Sequence, residues 1–165
     1  LKYPNTRKID LNKVTDSLTN KRGIYFWIDK NDNTLVYIGI AVGAGGLKKR
    51  VVQQHLCCKY LEYRSEKHTL KDEFQLKFAI PIVSKKTEET KYGIDKSAFR
   101  KSIGRMLQLK PGEETVSYIK TNLMLEVFES EDVEFIKSME KHLIVKYQPK
   151  LNSAHKNADC LSAAL

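Results

Sequence analysis

The strongest constraint on this chain is a pair of alternating apolar segments separated by a short polar stretch. From Gly23 the pattern has a period of two: Ile24, Phe26 and Ile28 alternate with Tyr25 and Trp27. Asp29-Lys30-Asn31-Asp32-Asn33 then supplies turn residues. On the return, Val36, Ile38 and Ile40 alternate with Leu35, Tyr37 and Gly39. The spacing predicts a β-hairpin whose aliphatic faces point together into a core, leaving Tyr25 and Tyr37 on the opposite face. Opposed or diagonal residues on one face of an antiparallel pair lie within side-chain reach. The two phenols therefore either flank a common ligand or pack as half-buried rings against a helix.

A flexible connection, Ala41 to Gly46, leads into a helix predicted over Leu47–Leu56. A helix start behind glycines can hold a phosphate through free backbone N–H groups. It is not a nucleotide P-loop, because the Gly-Lys-Ser/Thr ending is missing and Leu47 follows the last glycine. Arg50, beside Val51, is expected to lay its stem along the inner face and direct its charge inward. Residues 59–118 are mixed, with a strand expected within Phe74–Val83, a helix from Ser97 to Leu109 and a turn at Pro111-Gly112. On that helix Ala98, Ile103, Met106 and Leu107 are expected to supply apolar contacts. Arg100, Lys101 and Arg105 would form an exposed basic face that either meets DNA or is simply solvated.

Leu123, Leu125 and Val127 alternate with Met124 and Phe128 as a further strand, and Ser130 then suits a helix N-cap before acidic residues. The helix should reach about Tyr147. Val133, Ile136, Leu143 and Tyr147 recur at three- and four-residue steps, and Glu140 fills the gap in that stripe. A carboxylate in an apolar seam must meet a cation, a metal or several donors, so Glu140 is either half of an ion pair or a ligand. Pro149 ends the helix, and Asn152 follows as a turn residue or an anchor. Residues 1–22 are a polar, mixed lead-in in which Asp16-Ser17 either begins or interrupts a short helix.

With 165 residues, 41% hydrophobic and 30% charged, the chain suits one soluble globular domain, and no apolar run approaches the roughly 20 residues of a membrane span. Leu1 in place of Met, with no basic-then-apolar leader, suggests a piece of something longer. A net charge of +9 favours a polyanionic partner, nucleic acid first. Basic residues cluster at Lys48, Lys49, Arg50 and Lys59 and again at Arg100, Lys101, Arg105 and Lys110, whereas Glu129, Glu131, Asp132 and Glu134 form an acidic patch. Cys57, Cys58 and Cys160 make no even set and no Cys-x-x-Cys pair, which fits a reducing, cytoplasmic setting. Zinc on His55, Cys57 and Cys58 is disfavoured, because neighbouring cysteines are poorly placed to chelate together and no second ligand pair is present.

Gly23-Ile24-Tyr25, Tyr37-Ile38-Gly39, Arg50, and the block from Glu140 to Asn152 together resemble the GIY-YIG nuclease superfamily. The resemblance covers a core of about residues 20–58 and 120–153 in a single domain, with about 59–119 inserted. It implies an α+β fold: a small three-stranded antiparallel sheet that starts with the GIY/YIG hairpin, flanked by helices, with an α-helical or mixed insertion. It further implies a metal-dependent endonuclease that hydrolyses DNA by in-line attack of water, with RNA also a possible substrate. Glu140 would hold one divalent ion, Mg2+ with Mn2+ able to substitute, and Arg50 would grip the phosphate. By the same resemblance Tyr25 is the general base, Tyr37 orients it, His55 assists and Asn152 anchors the site. Gly39, Lys48, Lys49, Arg100, Lys101 and Arg105 would meet the substrate. Two departures stand out: His55 lies five residues after Arg50 where the family more often has a His or Tyr four after, and Ile40 replaces a lysine of the repair branch. The competing readings are a catalytically inactive nucleic-acid-binding module and a protein-docking domain.

Overall fold

The hairpin forms as its alternation requires. The structure, a computed structural model, describes residues 5–66 and 77–153. Strands β2 (Gly23–Asp29) and β3 (Leu35–Ala41) pair antiparallel, with Tyr25 opposite Gly39 and Trp27 opposite Tyr37, and the register shifts once between Trp27 and Ile28. The turn is closed by its polar residues. The Asp29 carboxylate accepts from the Asn31 N–H at 2.9 Å, that of Asp32 accepts from Thr34 at 2.8 Å, and Asn33 takes a left-handed φ of 56°. Such side-chain turns are what Asn and Asp offer between two strands.

The chain divides into two compact units, one running up to Val52 and resuming at Asn122, the other Gln53–Thr121. The first unit holds a four-stranded antiparallel sheet in the order β1-β7-β2-β3, with β1 at Arg7–Ile9 and β7 at Leu123–Glu129. The lead-in thus contributes an edge strand beyond the three expected. It also contains the short helix α1 (Val14–Ser17). Helix α5 (Val133–Tyr147) packs against β2 and β3. Ile24, Phe26, Ile28 and Ile38 of the sheet form one buried cluster with Ile136, Leu143 and Ile144 of that helix. The tyrosine face is covered as well, since Tyr25 is 2% exposed and Trp27 fully buried.

Two local readings of α5 are corrected. Its N-cap is Asp132, whose carboxylate accepts from the Phe135 N–H at 2.9 Å, while the Ser130 hydroxyl accepts one step earlier from the Asp132 N–H. Its inner stripe ends on Ile144 and leaves Tyr147 exposed. After the glycine connection, α2 is one turn (Gly46–Lys48), and Lys49–His55 continues as a π-helix. There Leu47, Val51, His55 and Leu56 are the buried positions, a wider repeat than an α-helix gives.

The second unit carries its own three-stranded antiparallel sheet of β4 (Leu61–Arg64), β5 (Ile80–Val83) and β6 (Thr90–Asp95), in the order β4-β6-β5. Of these, β5 (Ile80–Val83) falls within the strand expected over Phe74–Val83, whose first residues lie outside those described. Helices α3 (Ala98–Leu107) and α4 (Glu113–Asn122) come next. The face assigned to α3 is corrected. Phe99, Arg100, Ile103 and Gly104 are buried, whereas Ala98, Met106 and Leu107 are exposed.

The reason is an ion pair. Arg100, fully buried, is bound to the Asp95 carboxylate and donates to the carbonyls of Gln54 at 3.1 Å and Cys57 at 2.7 Å. Asp95 also accepts from the Gly112 N–H and the Thr115 hydroxyl, each at 3.0 Å. A buried charge is tolerable when it is paired and hydrogen-bonded in this way.

Candidate active site

Tyr25 sits where it does because its cross-strand partner has no side chain. A Cβ placed on Gly39 would lie 2.3 Å from the Tyr25 Oη and 2.4 Å from its Cζ. The glycine of the second triplet is therefore space for the tyrosine of the first. The glycine of the first triplet has a different cause: a Cβ on Gly23 would come within 2.1 Å of the Phe128 carbonyl oxygen across the β2–β7 pairing. The diagonal placement of Tyr25 and Tyr37 brings their ring centroids to 6.3 Å at 27°. The phenols are hydrogen-bonded, an interaction that raises the pKa of Tyr25 and lowers that of Tyr37, as expected with Tyr25 the donor.

The other two predicted groups reach the same place. Arg50 is exposed, and its Nε donates a long 3.4 Å bond to the Ile40 carbonyl. Its charge pulls down the pKa values of Tyr25, Tyr37 and Glu140, and the charge of Glu140 raises those of both phenols. Burial is the largest influence on all three. It pushes Tyr25 well above the ordinary phenol value, and it pushes Tyr37 and the Glu140 carboxyl above theirs. Arg50 is thus oriented toward solvent rather than drawn into the core, on the side from which an anion would approach.

A family profile described as the GIY-YIG catalytic domain matches residues 5–164. The chain belongs to this family. No curated protein and no solved structure gives a significant match. The α+β architecture, with antiparallel sheets and flanking helices, agrees with GIY-YIG topology.

Asn152 is joined to the hairpin by both ends of its amide. Its Oδ1 accepts from the Ile38 N–H at 2.9 Å and its Nδ2 donates to the Ile38 carbonyl at 2.8 Å. Leu151 adds a bond from its N–H to the Val36 carbonyl at 2.9 Å. Residues 151–152 thereby serve as a short neighbour for the outer side of β3, the strand that carries Tyr37 and Gly39.

The suggestion of a phosphate cradle at the helix start is corrected. The N–H groups of Gly46, Leu47, Lys48 and Lys49 donate to the carbonyls of Gly43, Lys21, Thr19 and Gly45. Gly46, at φ 46°, is pressed so closely on residues 20–21 that a Cβ would meet the Lys21 and Asn20 oxygens at 2.1 and 2.2 Å. Lys48 is half-buried and Lys49 exposed, so any phosphate contact there belongs to their side chains.

The remaining expected residues lie in the second unit. His55 is 2% exposed, with Nδ1 2.9 Å from the Ser97 hydroxyl and its ring edge-on to Phe99. Arg100 does not form part of an exposed basic face, since its guanidinium is spent on Asp95 and two carbonyls. Lys101 is half-buried with its Nζ 3.8 Å from Glu62, and Arg105 is exposed. Cys57 and Cys58 are free thiols.

Whether the site suits a divalent cation is decided by Glu140. Its carboxylate is partly withdrawn from water, feels Arg50 as its opposing charge, and accepts no hydrogen bond among the described residues. Also among the described residues, no three His, Cys, Asp or Glu side chains gather as a metal cage. One hard carboxylate leaves most of a coordination shell to water and substrate, a pattern that Mg2+ accepts and structural zinc does not. Sequence reasoning missed the Ile40 carbonyl that steadies Arg50 and the backbone ties that consume the helix N-terminus. Backbone groups leave no signal of that kind in residue types.

Proposed function

We propose that the chain is a metal-dependent endonuclease that hydrolyses DNA phosphodiester bonds, as one nuclease domain with residues of about 59–119 inserted. The observation that carries this reading is the stacked pair of Tyr25 and Tyr37, ring centroids 6.3 Å apart, in the same unit as Arg50 and Glu140, whose charges both phenols feel. Arg50 presents paired N–H donors whose planar geometry matches two phosphate oxygens, and its hold on the Ile40 carbonyl limits their wandering. Glu140 would hold a divalent ion, Mg2+ or Mn2+ in its place, which when bound supplies a Lewis acid for a phosphoryl oxygen, steadies the leaving alkoxide and adds positive charge beside the phenols. Tyr25 is assigned as the base: it would first lose its own proton to solvent, its phenolate stabilised by Arg50 and the charge of the bound ion, and then take the proton of the attacking water, with Tyr37 hydrogen-bonded to it and orienting it. Gly39 keeps the ring in place, Asn152 holds β3, and Lys48 and Lys49 meet flanking phosphates.

The test is nicking of supercoiled plasmid in Mg2+ by the wild type and by Glu140→Ala. Wild-type nicking that disappears in a folded Glu140→Ala protein is the expected result, and undiminished cutting by the variant rejects the assignment. A second reading, a nucleic-acid-binding module that cuts nothing, is favoured by one observation: burial holds Tyr25 protonated, a poor state for a base. It predicts salt-dependent DNA binding with no cleavage in either Mg2+ or Mn2+.

A further inference from the structure

The second unit repeats the device of a tyrosine set against a glycine, this time with the ring open to solvent. Tyr63, Gly93 and Ile80 form one cross-strand row of the β4-β6-β5 sheet. A Cβ on Gly93 would lie 2.8 Å from Tyr63 Cε1 and 3.2 Å from its Cδ1, so the ring leans across the bare backbone of β6. Tyr63 nonetheless remains 45% exposed. It borders a groove of about 450 Å³, lined also by Ile80, Lys59, Lys110, Glu113 and Glu114. That size is within the range of small-molecule sites. Both lysines and both glutamates are exposed, and Glu114 is steadied by accepting the Lys110 N–H at 2.8 Å.

The two signs of charge in one groove narrow the occupant. An anion alone would be repelled by Glu113 and Glu114, and a cation alone by Lys59 and Lys110. A nucleotide within a strand satisfies both, because its phosphates are anionic while its base edge is neutral and bears N–H donors that carboxylates accept. The aromatic ring supplies the surface on which any base stacks. The unit as a whole is basic, with 14 Lys and Arg against 9 Asp and Glu in residues 53–121.

We propose that this groove binds an unpaired base of a single-stranded nucleic acid segment, stacked on Tyr63, with its edge donating to Glu113 or Glu114 and the adjoining phosphates held by Lys59 and Lys110. Bases with amino groups, guanine first because two of its donors lie side by side, are preferred over thymine. A duplex keeps its bases paired and does not use the groove. The inference rests on nucleic acid being the partner but not on cleavage, so it is tested without divalent metal.

In EDTA, binding of a short single strand carrying one 2-aminopurine is followed by anisotropy and by quenching of that base. Wild type is expected to bind and quench. Tyr63→Ala and Tyr63→Leu, the latter keeping an apolar cover over Gly93, should bind about 5- to 100-fold more weakly and lose the quenching, while Tyr63→Phe retains both. Joint replacement of Lys59 and Lys110 by Gln should reduce the slope of log affinity against log salt by about 1.4. Glu113→Gln with Glu114→Gln should erase the preference for guanine over thymine strands. Wild-type binding and quenching by folded Tyr63→Leu overturns the proposal, as does a free guanosine monophosphate that binds as tightly as the strand. If the strand binds as described while plasmid nicking is absent, the nuclease reading alone fails.

Discussion

Replacing Asn152 by Ala removes two hydrogen bonds at once and leaves their partners behind. Its amide satisfies both the N–H and the C=O of Ile38, at 2.9 and 2.8 Å, and the residue is 6% exposed. A net intramolecular hydrogen bond contributes about 1 kcal/mol, and a buried group stripped of its partner costs about 1–3 kcal/mol. Some water can reach an edge strand, so the loss should be about 2–4 kcal/mol rather than the upper sum. With a urea slope of about 2 kcal/mol per molar, the midpoint falls by about 1–2 M. The Ile38 amide itself reports the same energy locally, exchanging about 30- to 700-fold faster. Asn152→Asp keeps the acceptor but turns an oxygen toward the Ile38 carbonyl, so it should be no more stable than the alanine variant. A midpoint shift below about 0.3 M in both variants, with unchanged Ile38 exchange, would refute this account of the β3 edge.

Gly39→Ala sets a Cβ against the Tyr25 phenol and should cost about 1–3 kcal/mol of stability while lowering nicking by about 100-fold, because the ring must leave its place; circular dichroism and plasmid assays check the two parts. Arg100→Ala strands Asp95 in the second unit and should cost about 3–5 kcal/mol in denaturant unfolding, whereas Asp95→Asn combined with Arg100→Met should cost less than the sum of the single changes. Glu140 titrates above its ordinary value, so the folded state binds that proton more tightly than the unfolded chain. Stability should therefore decline as pH rises from the usual carboxylate range through the raised value, and Glu140→Gln should remove that decline in melts run in EDTA. Mg2+ should then raise the melting temperature of wild type but not of Glu140→Gln.

The hairpin was legible because period-two alternation and an Asp/Asn turn are local signals, and its register put the two tyrosines on one diagonal. Glu140 was legible as a break in an otherwise apolar stripe. What failed was of a different kind. Arg100 stands beside Lys101 and near Arg105, and nothing in that pattern says that one guanidinium turns inward to Asp95; a charge five residues earlier is visible, but its burial is not. Strand β1 is three residues long and pairs with a strand more than a hundred residues away, so no local window contains its partner. The N-cap moved from Ser130 to Asp132 because both residues can cap, and the choice depends on which lies at the helix entry.

Hydrogen bonds in a π-helix join residues five apart, so over Lys49–His55 a fifth residue occupies the place that a fourth would take on an α-helix. Arg50 and His55 are so spaced and nonetheless have different surroundings: Arg50 is exposed, whereas His55 is buried against Ser97 and Phe99. One short segment thus carries a charged side chain to solvent and a histidine to the interior, so residue count alone does not assign a side chain to a site.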